Sequence, residues 1–273
     1  MTEFLSVMEP LAREAGAILR DGYGRGLTGA GAADQPIAVE YKGAIDLVTE
    51  YDRRSEALII AGLRQAFPTH AIYAEESGRS ATQAEYEWLV DPLDGTTNFA
   101  HAFPFFAVSI ALARRGRLLA GVVYDPLRDE LFSARAGQGA TLNGTRLQVS
   151  AQADLGRAFL ATGFAYDVRT NPRNNFAEFR QFLVRALAVR RAGAAALDCA
   201  YVAAGRLDGY WEFRIKPWDI GAGALIVLEA GGRVTTAEGG DDYLAVPDIV
   251  VSNGHIHEQM LRVLREGDEA PRP

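Results

Sequence analysis

The segment from Asp91 to Asn98, which reads Asp-Pro-Leu-Asp-Gly-Thr-Thr-Asn, constrains the fold of this chain more than any other stretch. Pro92 disfavours helical backbone at the residue before it, so Asp91 is expected at the end of an extended strand. Gly95 permits a tight turn, and the polar residues that follow can begin a helix. The segment therefore predicts a strand-to-helix junction where Asp91 and Asp94 point into one small space, beside backbone N–H groups suited to a phosphate.

The composition and charge of the chain bound the classes of protein it can be. Its 273 residues are 48% hydrophobic and 23% charged, which is typical of a globular protein with a sizeable core. A net charge of −7 leads us to expect no nucleic acid among its partners. No apolar run approaches the roughly 20 residues that cross a membrane, and glutamates stand where a signal peptide is positively charged. We therefore expect a cytoplasmic protein without membrane contact, and the single cysteine, Cys199, allows no internal disulfide.

Apolar periodicity predicts a chain of mixed helices and strands. Helices are predicted over 4–18, 52–67, 172–187, 193–204 and 219–230, short strands at 72–74, 88–90 and 209–213, and a strand meander over 105–149. The glycines between Gly22 and Ala33 predict a loop. Because no linker or repeat divides the chain, we expect one domain over residues 1–273, with packed subdomains 1–154 and 155–273.

Two further carboxylates stand at predicted element ends, as Asp91 and Asp94 do. Glu75 follows an apolar strand, and Asp219 opens an apolar helix. Two like charges about 4 Å apart repel by roughly 4 kcal/mol at an effective dielectric near 20, so gathered carboxylates need either raised pKa values or divalent cations. An all-oxygen ligand set favours Mg²⁺ or Mn²⁺ over Zn²⁺. The pattern points to metal-assisted hydrolysis, whereas the short motif around Asp94 taken alone would favour a plain turn or helix cap.

Four stretches of the chain resemble the inositol monophosphatase family, within the lithium-sensitive phosphatase superfamily. They are Asp46–Asp52, Glu75–Ser77, Asp91–Phe99 and Trp218–Gly223, and their order and spacing match across nearly the whole chain. The resemblance implies an α+β or α/β layered sandwich, with alternating α-β-α-β-α layers of the sugar phosphatase type. It also implies a lithium-sensitive, magnesium-dependent hydrolase that commonly forms a homodimer.

The same resemblance implies roles for individual residues. The ligands of two to three Mg²⁺ (or Mn²⁺) ions are Glu75, Asp91, the backbone carbonyl of Leu93, Asp94 and Asp219. The catalytic set around the attacking water is Glu75, Thr96, Asp52 and Lys42, the last two near a weaker third ion. The substrate contacts are Asp94, Gly95, Thr96, Gly193, Ala194, Ala195, Glu212 and Asp219. Many relatives have Ser or Thr at the position of Ala194, so one polar contact is lost here.

The resemblance makes inositol 1-phosphate the first choice of substrate, and a small phosphorylated polyol or sugar the expected partner. Neighbouring branches hydrolyse fructose 1,6-bisphosphate, histidinol phosphate or 3′-phosphoadenosine 5′-phosphate, and these stay open because the residues that separate the activities lie outside the four stretches. Lys216 either is a solvated charge at a strand end or attracts a second anionic group of the substrate. An alternative of a different class is a non-catalytic regulatory binding protein on the same fold, which would have no reason to keep all four carboxylates.

Overall fold

The computed structural model describes residues 3–23, 39–41, 47–82 and 84–267. Lys42, and the predicted Gly22–Ala33 loop beyond residue 23, lie outside the described residues. The helices are α1 (Glu3–Gly22), α2 (Glu50–Ala66), α3 (Thr96–Ala100), α4 (Phe176–Leu183), α5 (Ala195–Ala203), α6 (Pro217–Glu229) and α7 (His257–Glu266). The strands are β1 (Val39–Tyr41), β2 (Leu47–Thr49), β3 (Ala71–Ala74), β4 (Gly78–Arg79), β5 (Tyr86–Asp94), β6 (Ala107–Arg114), β7 (Arg117–Asp125), β8 (Glu130–Arg135), β9 (Gly139–Leu142), β10 (Thr145–Arg146), β11 (Phe159–Thr162), β12 (Ala188–Arg190), β13 (Gly209–Phe213), β14 (Arg233–Thr235) and β15 (Asp248–Ser252).

Two sheets carry most of the strands. The larger has eight strands in the order β10-β9-β8-β7-β6-β5-β3-β4, and the smaller has five in the order β12-β11-β13-β15-β14, while β1 and β2 form a separate pair. In the larger sheet β3 and β5 run parallel, and β5 to β10 form an antiparallel meander. This arrangement confirms the strand-rich middle of the chain that the turn signals predict.

Helices and sheets stack in five layers because successive strand residues face opposite sides of a sheet. Trp88 and Val90 of β5 pack with α1 and α2, whereas Leu89 between them packs with α5 and α6. In the smaller sheet Tyr210 faces α5 and α6, and Trp211 faces α4 and α7. The resulting order of helix pair, sheet, helix pair, sheet and helix pair is the alternating α-β-α-β-α sandwich that the sequence predicts.

Helix α6 lies in the central layer, where it is buried on almost every side. Its residues 220–227 are all buried, which suits a helix that is apolar around its whole circumference. A glycine in β7 allows the close approach, because a Cβ on Gly121 would lie 2.9 Å from the Cα of Ala222. The hydroxyl of Ser109 in β6 also donates to the carbonyl of Trp218 at 3.2 Å. Apolar packing therefore fixes the first turn of α6, which carries Asp219, beside the end of the large sheet.

The predicted helix over 172–187 is wrong in its extent. Helix α4 covers only Phe176–Leu183, and the chain then enters strand β12. Asn175 takes a left-handed φ of 69° ahead of α4. Its amide donates to the carbonyl of Gly163 at 2.8 Å and accepts from the indole N–H of Trp211 at 2.7 Å. These tertiary contacts, rather than local propensity, decide where the helix begins.

The core joins both halves of the chain. One apolar cluster combines Leu89 and Phe132 of the larger sheet with Tyr210 and Ile249 of the smaller one. The division into subdomains at residue 154 stays a prediction. Within the described residues, no helix is long and apolar enough to cross a membrane.

Candidate active site

The strand-to-helix junction predicted at Asp91 is present, and a bulge shapes it. Asp91 of β5 pairs with Ser109 of β6 and Asp94 pairs with Ala107, so three steps on one strand match two on the other. Such a bulge re-aims side chains at the end of a strand. Gly95 then takes a left-handed φ of 94°, and α3 begins at Thr96. The bulge and the turn place Asp91 and Asp94 on the wall of the same cavity.

Helix α2 supports this junction through its buried first turns. The carboxylate of Asp52 accepts the backbone N–H of Thr49 at 2.8 Å and faces the hydroxyl of Thr96 at 2.9 Å. The Thr96 hydroxyl also lies 3.0 Å from the carbonyl oxygen of Leu93. Burial raises the pKa of Asp52, although its hydrogen bonds act in the opposite direction. Asp52 therefore lies behind Thr96 as a fixed acceptor rather than on the cavity wall.

The next residues of α2 hold two strand ends. The hydroxyl of Ser55 donates to the carbonyl of Pro92 at 2.8 Å. The carboxylate of Glu56, which is 5% exposed, accepts the backbone N–H groups of Glu76 and Ser77 at 2.8 and 2.9 Å. One helix thus anchors both the segment that carries Asp91 and the turn directly after Glu75.

Asp94 and Asp219 each accept backbone N–H groups at the start of a helix. Asp94 accepts from Ala195 at 3.1 Å and from Ala196 at 2.7 Å, at the N-terminus of α5. Asp219 accepts from the backbone N–H of Lys216 at 2.9 Å, at the N-terminus of α6. A carboxylate is favourable at both places because backbone N–H groups there lack helical partners.

The cavity at the junction has a volume of about 260 Å³. It gathers eleven of the predicted site residues: Glu75, Asp91, Leu93, Asp94, Gly95, Thr96, Gly193, Ala194, Ala195, Glu212 and Asp219. It is also lined by residues for which the sequence suggested no role, among them Gly163, Arg191 and Asp198. The one sequence signal for Asp198 is a carboxylate inside an otherwise apolar helix, where an acid is costly unless it has a function.

The cavity concentrates negative charge. Burial raises the pKa of Asp91 well above its ordinary value, and the charges of Glu75, Asp94 and Asp219 raise it further. Burial and the charge of Glu75 act on Asp219 in the same way, and its pKa also lies well above the ordinary value. Burial raises the pKa of Asp94 to about 7. Among the described residues, the strongest charge effects on Asp91, Asp94 and Asp219 come from other acids.

The donor chemistry of the cavity fits a hard divalent cation. In the described part of the chain, no three His, Cys, Asp or Glu side chains converge into a ready-made metal cluster. Four carboxylates and the carbonyl of Leu93 nevertheless line one cavity, and the carboxylates affect one another's pKa across it. Mutual repulsion of the carboxylates favours their distribution around the cavity wall rather than a tight cluster. Oxygen atoms are the donors that Mg²⁺ prefers.

We predict that the metal-free protein loses stability as the pH rises from 6.5 to 8.5. The folded chain holds protons on Asp94 and Glu212 with pKa values of about 7, whereas the unfolded chain loses them near pH 4. Stability from these protonated groups is complete below the unfolded pKa and is lost as the pH rises through 7. Buried His257, whose pKa is lowered to about 4, opposes this trend only below pH 6.5.

Thermal unfolding in a chelator checks this prediction. We expect the midpoint to fall by about 2–4 °C for each kcal/mol lost in a domain of this size. The same scan with Mg²⁺ is the control, because a bound cation favours the ionised carboxylates and should flatten the curve. A metal-free midpoint that stays level or rises over this range would contradict the raised pKa values.

Fold and cavity together define a layered α/β sandwich with an acidic site at the junction of a strand and a helix. The model of the inositol monophosphatase family matches residues 1–269, and the chain belongs to this family. The solved inositol monophosphatase from Anabaena (Nostoc) sp. PCC 7120 is 42% identical with a TM-score of 0.85, covering 97% of this chain and 96% of that one. The family is generally Mg²⁺-dependent.

Curated relatives of this chain are named as Nus factors. The protein named Nus factor SuhB from Pseudomonas aeruginosa is 48% identical over 234 residues, covering 84% of this chain and 86% of that protein. The Nus factor SuhB of Escherichia coli (strain K12) is 42% identical over 269 residues, covering 97% of each.

These names correct the expected partners. The sequence suggested a small phosphorylated polyol or sugar and a homodimer, with no nucleic acid and no membrane. This prediction is wrong in excluding nucleic acid, because relatives that are 42–48% identical are named Nus factors. The error has a physical reason. A net charge of −7 describes the whole surface, and it does not exclude a local patch or a protein partner that bridges to nucleic acid.

Proposed function

We propose that this chain is a Mg²⁺-dependent phosphomonoesterase that hydrolyses inositol 1-phosphate to inositol and phosphate. The observation that carries the proposal is the set of four carboxylates around one cavity at the bulged end of β5: Asp91 and Asp94, which are buried, and Glu75 and Asp219, which are half-buried. Apolar residues at these four positions would stabilise the fold better, because a buried carboxylate without a cation costs several kcal/mol. Their presence is explained by a ligand that brings positive charge.

The protein groups divide the chemistry between them. The four carboxylates and the Leu93 carbonyl would hold Mg²⁺, which would supply Lewis-acid stabilisation of the phosphate charge. We assign Glu75 as the group that accepts a proton from the attacking water. Thr96 orients that water, and Asp52 fixes the Thr96 hydroxyl from behind. Gly95 allows the turn to pack closely against Phe105, since a Cβ there would lie 3.0 Å from the carbonyl oxygen of Phe105.

The alcohol side of the cavity favours a hydroxyl-rich leaving group. Glu212 lies on the wall next to Gly193 and Ala195, and the Tyr210 hydroxyl donates to its carboxylate. Burial raises the pKa of Glu212 to about 7. Ala194 offers no hydroxyl here, so Glu212 is the main polar contact that we assign to inositol.

Phosphate release on a panel of substrates tests this function. We expect activity that depends on Mg²⁺. The panel contains inositol 1-phosphate, fructose 1,6-bisphosphate, histidinol phosphate and 3′-phosphoadenosine 5′-phosphate, and we expect the highest kcat/KM for inositol 1-phosphate. A tenfold preference for another member would replace the substrate but keep the reaction. Activity that is unchanged in a chelator would overturn the role of Mg²⁺. Lithium sensitivity and a cytoplasmic location stay predictions, and the same assay with LiCl tests the first.

Glu56→Gln is predicted to weaken the response to Mg²⁺. An amide has one acceptor oxygen in place of two, so one of the N–H groups of Glu76 and Ser77 loses its partner and the turn after Glu75 loosens. Outer groups that orient ligands typically change metal affinity by about 10–100-fold. We therefore expect half-maximal activity at about tenfold higher Mg²⁺, with kcat at saturating Mg²⁺ within about threefold. Glu50→Gln, at an exposed position of α2, is the control, and an unshifted Mg²⁺ response in Glu56→Gln would contradict the prediction.

We propose as a second function that the chain takes part in transcription complexes, as the name Nus factor suggests for its relatives. Immobilised bacterial RNA polymerase can be tested for binding of the purified chain. We expect binding that Asp91→Asn leaves unchanged, because the acidic cavity serves hydrolysis. No binding at micromolar concentration would contradict this second function.

A further inference from the structure

Asp198 is a buried acid in the cavity that the proposed reaction does not use. It is the fourth residue of α5, in the sequence Ala-Ala-Leu-Asp-Cys-Ala-Tyr-Val-Ala, and every other residue of that stretch is apolar or a tyrosine. The residue is 2% exposed, and it lines the same cavity as Glu75 and Asp94. Its backbone N–H donates to the carbonyl of Ala194 at 3.0 Å, so only the side chain is available to a ligand.

The Asp198 carboxyl group makes no hydrogen bond to another described residue, and its oxygens open onto the cavity that Asp198 lines. Other buried acids of this chain show the usual pattern: Asp125 accepts two backbone N–H groups, and Asp208 accepts the N–H of Phe159 at 2.7 Å. An acceptor that opens onto a cavity can pair with a donor of the ligand.

The surroundings of Asp198 identify the side of the cavity. The groups that act on it electrostatically are Asp94, Glu212 and Arg191. Asp94 stands at the phosphate end, and Glu212 stands at the alcohol end. The Glu212 carboxylate lies against backbone that has no side chain, because a Cβ on Gly163 would fall 1.8 Å from its Oε2. Asp198 therefore shares the cavity wall with Asp94 and Glu212.

We propose that Asp198 is a specificity-determining residue that accepts a hydrogen bond from a second hydroxyl of the substrate alcohol, beside the hydroxyl that Glu212 accepts. The inference rests on the proposed phosphatase function and narrows its substrate class. Two buried acceptors on one wall suit a polyol with neighbouring hydroxyl donors. They disfavour an alcohol without such donors, because the Asp198 carboxyl group then gains no partner when the substrate fills the cavity.

Asp198→Ala tests the proposal on two substrates with Mg²⁺: inositol 1-phosphate, which has free hydroxyls, and p-nitrophenyl phosphate, which has none. We expect kcat/KM for inositol 1-phosphate to fall about tenfold or more, the effect of losing one hydrogen bond to the substrate in a buried site. For p-nitrophenyl phosphate we expect a change within about threefold, or a gain. Asp198→Asn keeps the shape and one acceptor oxygen, so it should fall between wild type and Asp198→Ala on inositol 1-phosphate.

The ratio of the two kcat/KM values separates specificity from structure, because a general disturbance of the site lowers both. Asp125→Asn, a buried acid outside the cavity, is the matched control and should leave the ratio unchanged. If both substrates fall equally in Asp198→Ala, or neither changes while wild type is active, the role of Asp198 is wrong and the phosphatase function stands. If wild-type protein releases phosphate from neither substrate, the proposed function itself has failed.

Discussion

Replacing Asp91 with asparagine should reduce kcat/KM for phosphate release by about 10³-fold, equivalent to about 4 kcal/mol, while leaving the metal-free fold at least as stable as wild type. Asp91 is 2% exposed, and its pKa is raised by burial first and then by Glu75, Asp94 and Asp219. Asparagine keeps the volume and removes one negative charge from the cluster. The repulsion that Asp91 shares with its neighbours then disappears, together with the charge that a divalent cation requires.

Two measurements distinguish this result from simple unfolding. Mg²⁺ at 100 times its dissociation constant should stabilise wild type by about 2.7 kcal/mol, and it should stabilise Asp91→Asn far less. Asp208→Asn is the matched control, since Asp208 is a buried acid that accepts the N–H of Phe159 outside the cavity. It should lose stability but keep both kcat/KM and the Mg²⁺ effect. More than a tenth of wild-type activity in Asp91→Asn would rule out its assignment as a metal ligand.

Asp94→Asn is expected to damage stability and activity together, in contrast to Asp91→Asn. Both oxygens of Asp94 accept N–H groups, from Ala195 and Ala196. An amide offers one oxygen and turns an N–H donor toward the other backbone N–H. The unpaired buried group should cost about 1–3 kcal/mol in the free energy of unfolding, and the lost charge should lower kcat/KM by about 10²-fold or more.

A buried acid that also accepts two backbone N–H groups provides the control for Asp94. Asp125 is 1% exposed, accepts the backbone N–H groups of Leu127 and Arg128 at 2.9 and 3.1 Å, and accepts the Arg128 guanidinium at 2.8 Å. Asp125→Asn removes the charge that faces this guanidinium, so it should lose stability in urea unfolding with unchanged kcat/KM. An Asp94→Asn protein within a factor of two of wild-type activity would refute the mechanism, as would equal loss of activity in both variants.

The junction at Asp91 could be predicted from the sequence because its causes are local. Pro92 acts on the residue before it, and Gly95 supplies the left-handed turn at φ 94°. The position of Asp219 could be predicted equally well, since it lies in the first turn of a helix that is apolar around its whole circumference. Where neighbours along the chain determine the backbone, residue types alone indicate which side chains reach a cavity.

Other parts of the site depend on contacts between distant segments, which no local pattern shows. Glu56 appears in the sequence as one polar position of a helix, and only the fold brings it to the N–H groups of residues 76 and 77. The helix predicted from residue 172 begins too early because the start of α4 is set by Asn175, which bonds to Trp211 36 residues later. Asp198 did give a signal, an acid surrounded by apolar residues, but its direction depends on how α5 packs against the sheet.

The bond from Asp94 to the start of α5 has a consequence for the order in which the protein becomes functional. Asp94 and its two partners are separated by 101 and 102 positions in the sequence. Their bonds close the cavity between two sheets that form from separate stretches of chain. Contacts of such long sequence separation form late in folding, because a long loop must first be closed. An N-terminal fragment that ends before α5 would carry three of the four acids without the N–H groups that hold Asp94. During synthesis, the binding site should therefore mature only after the second half of the chain has docked.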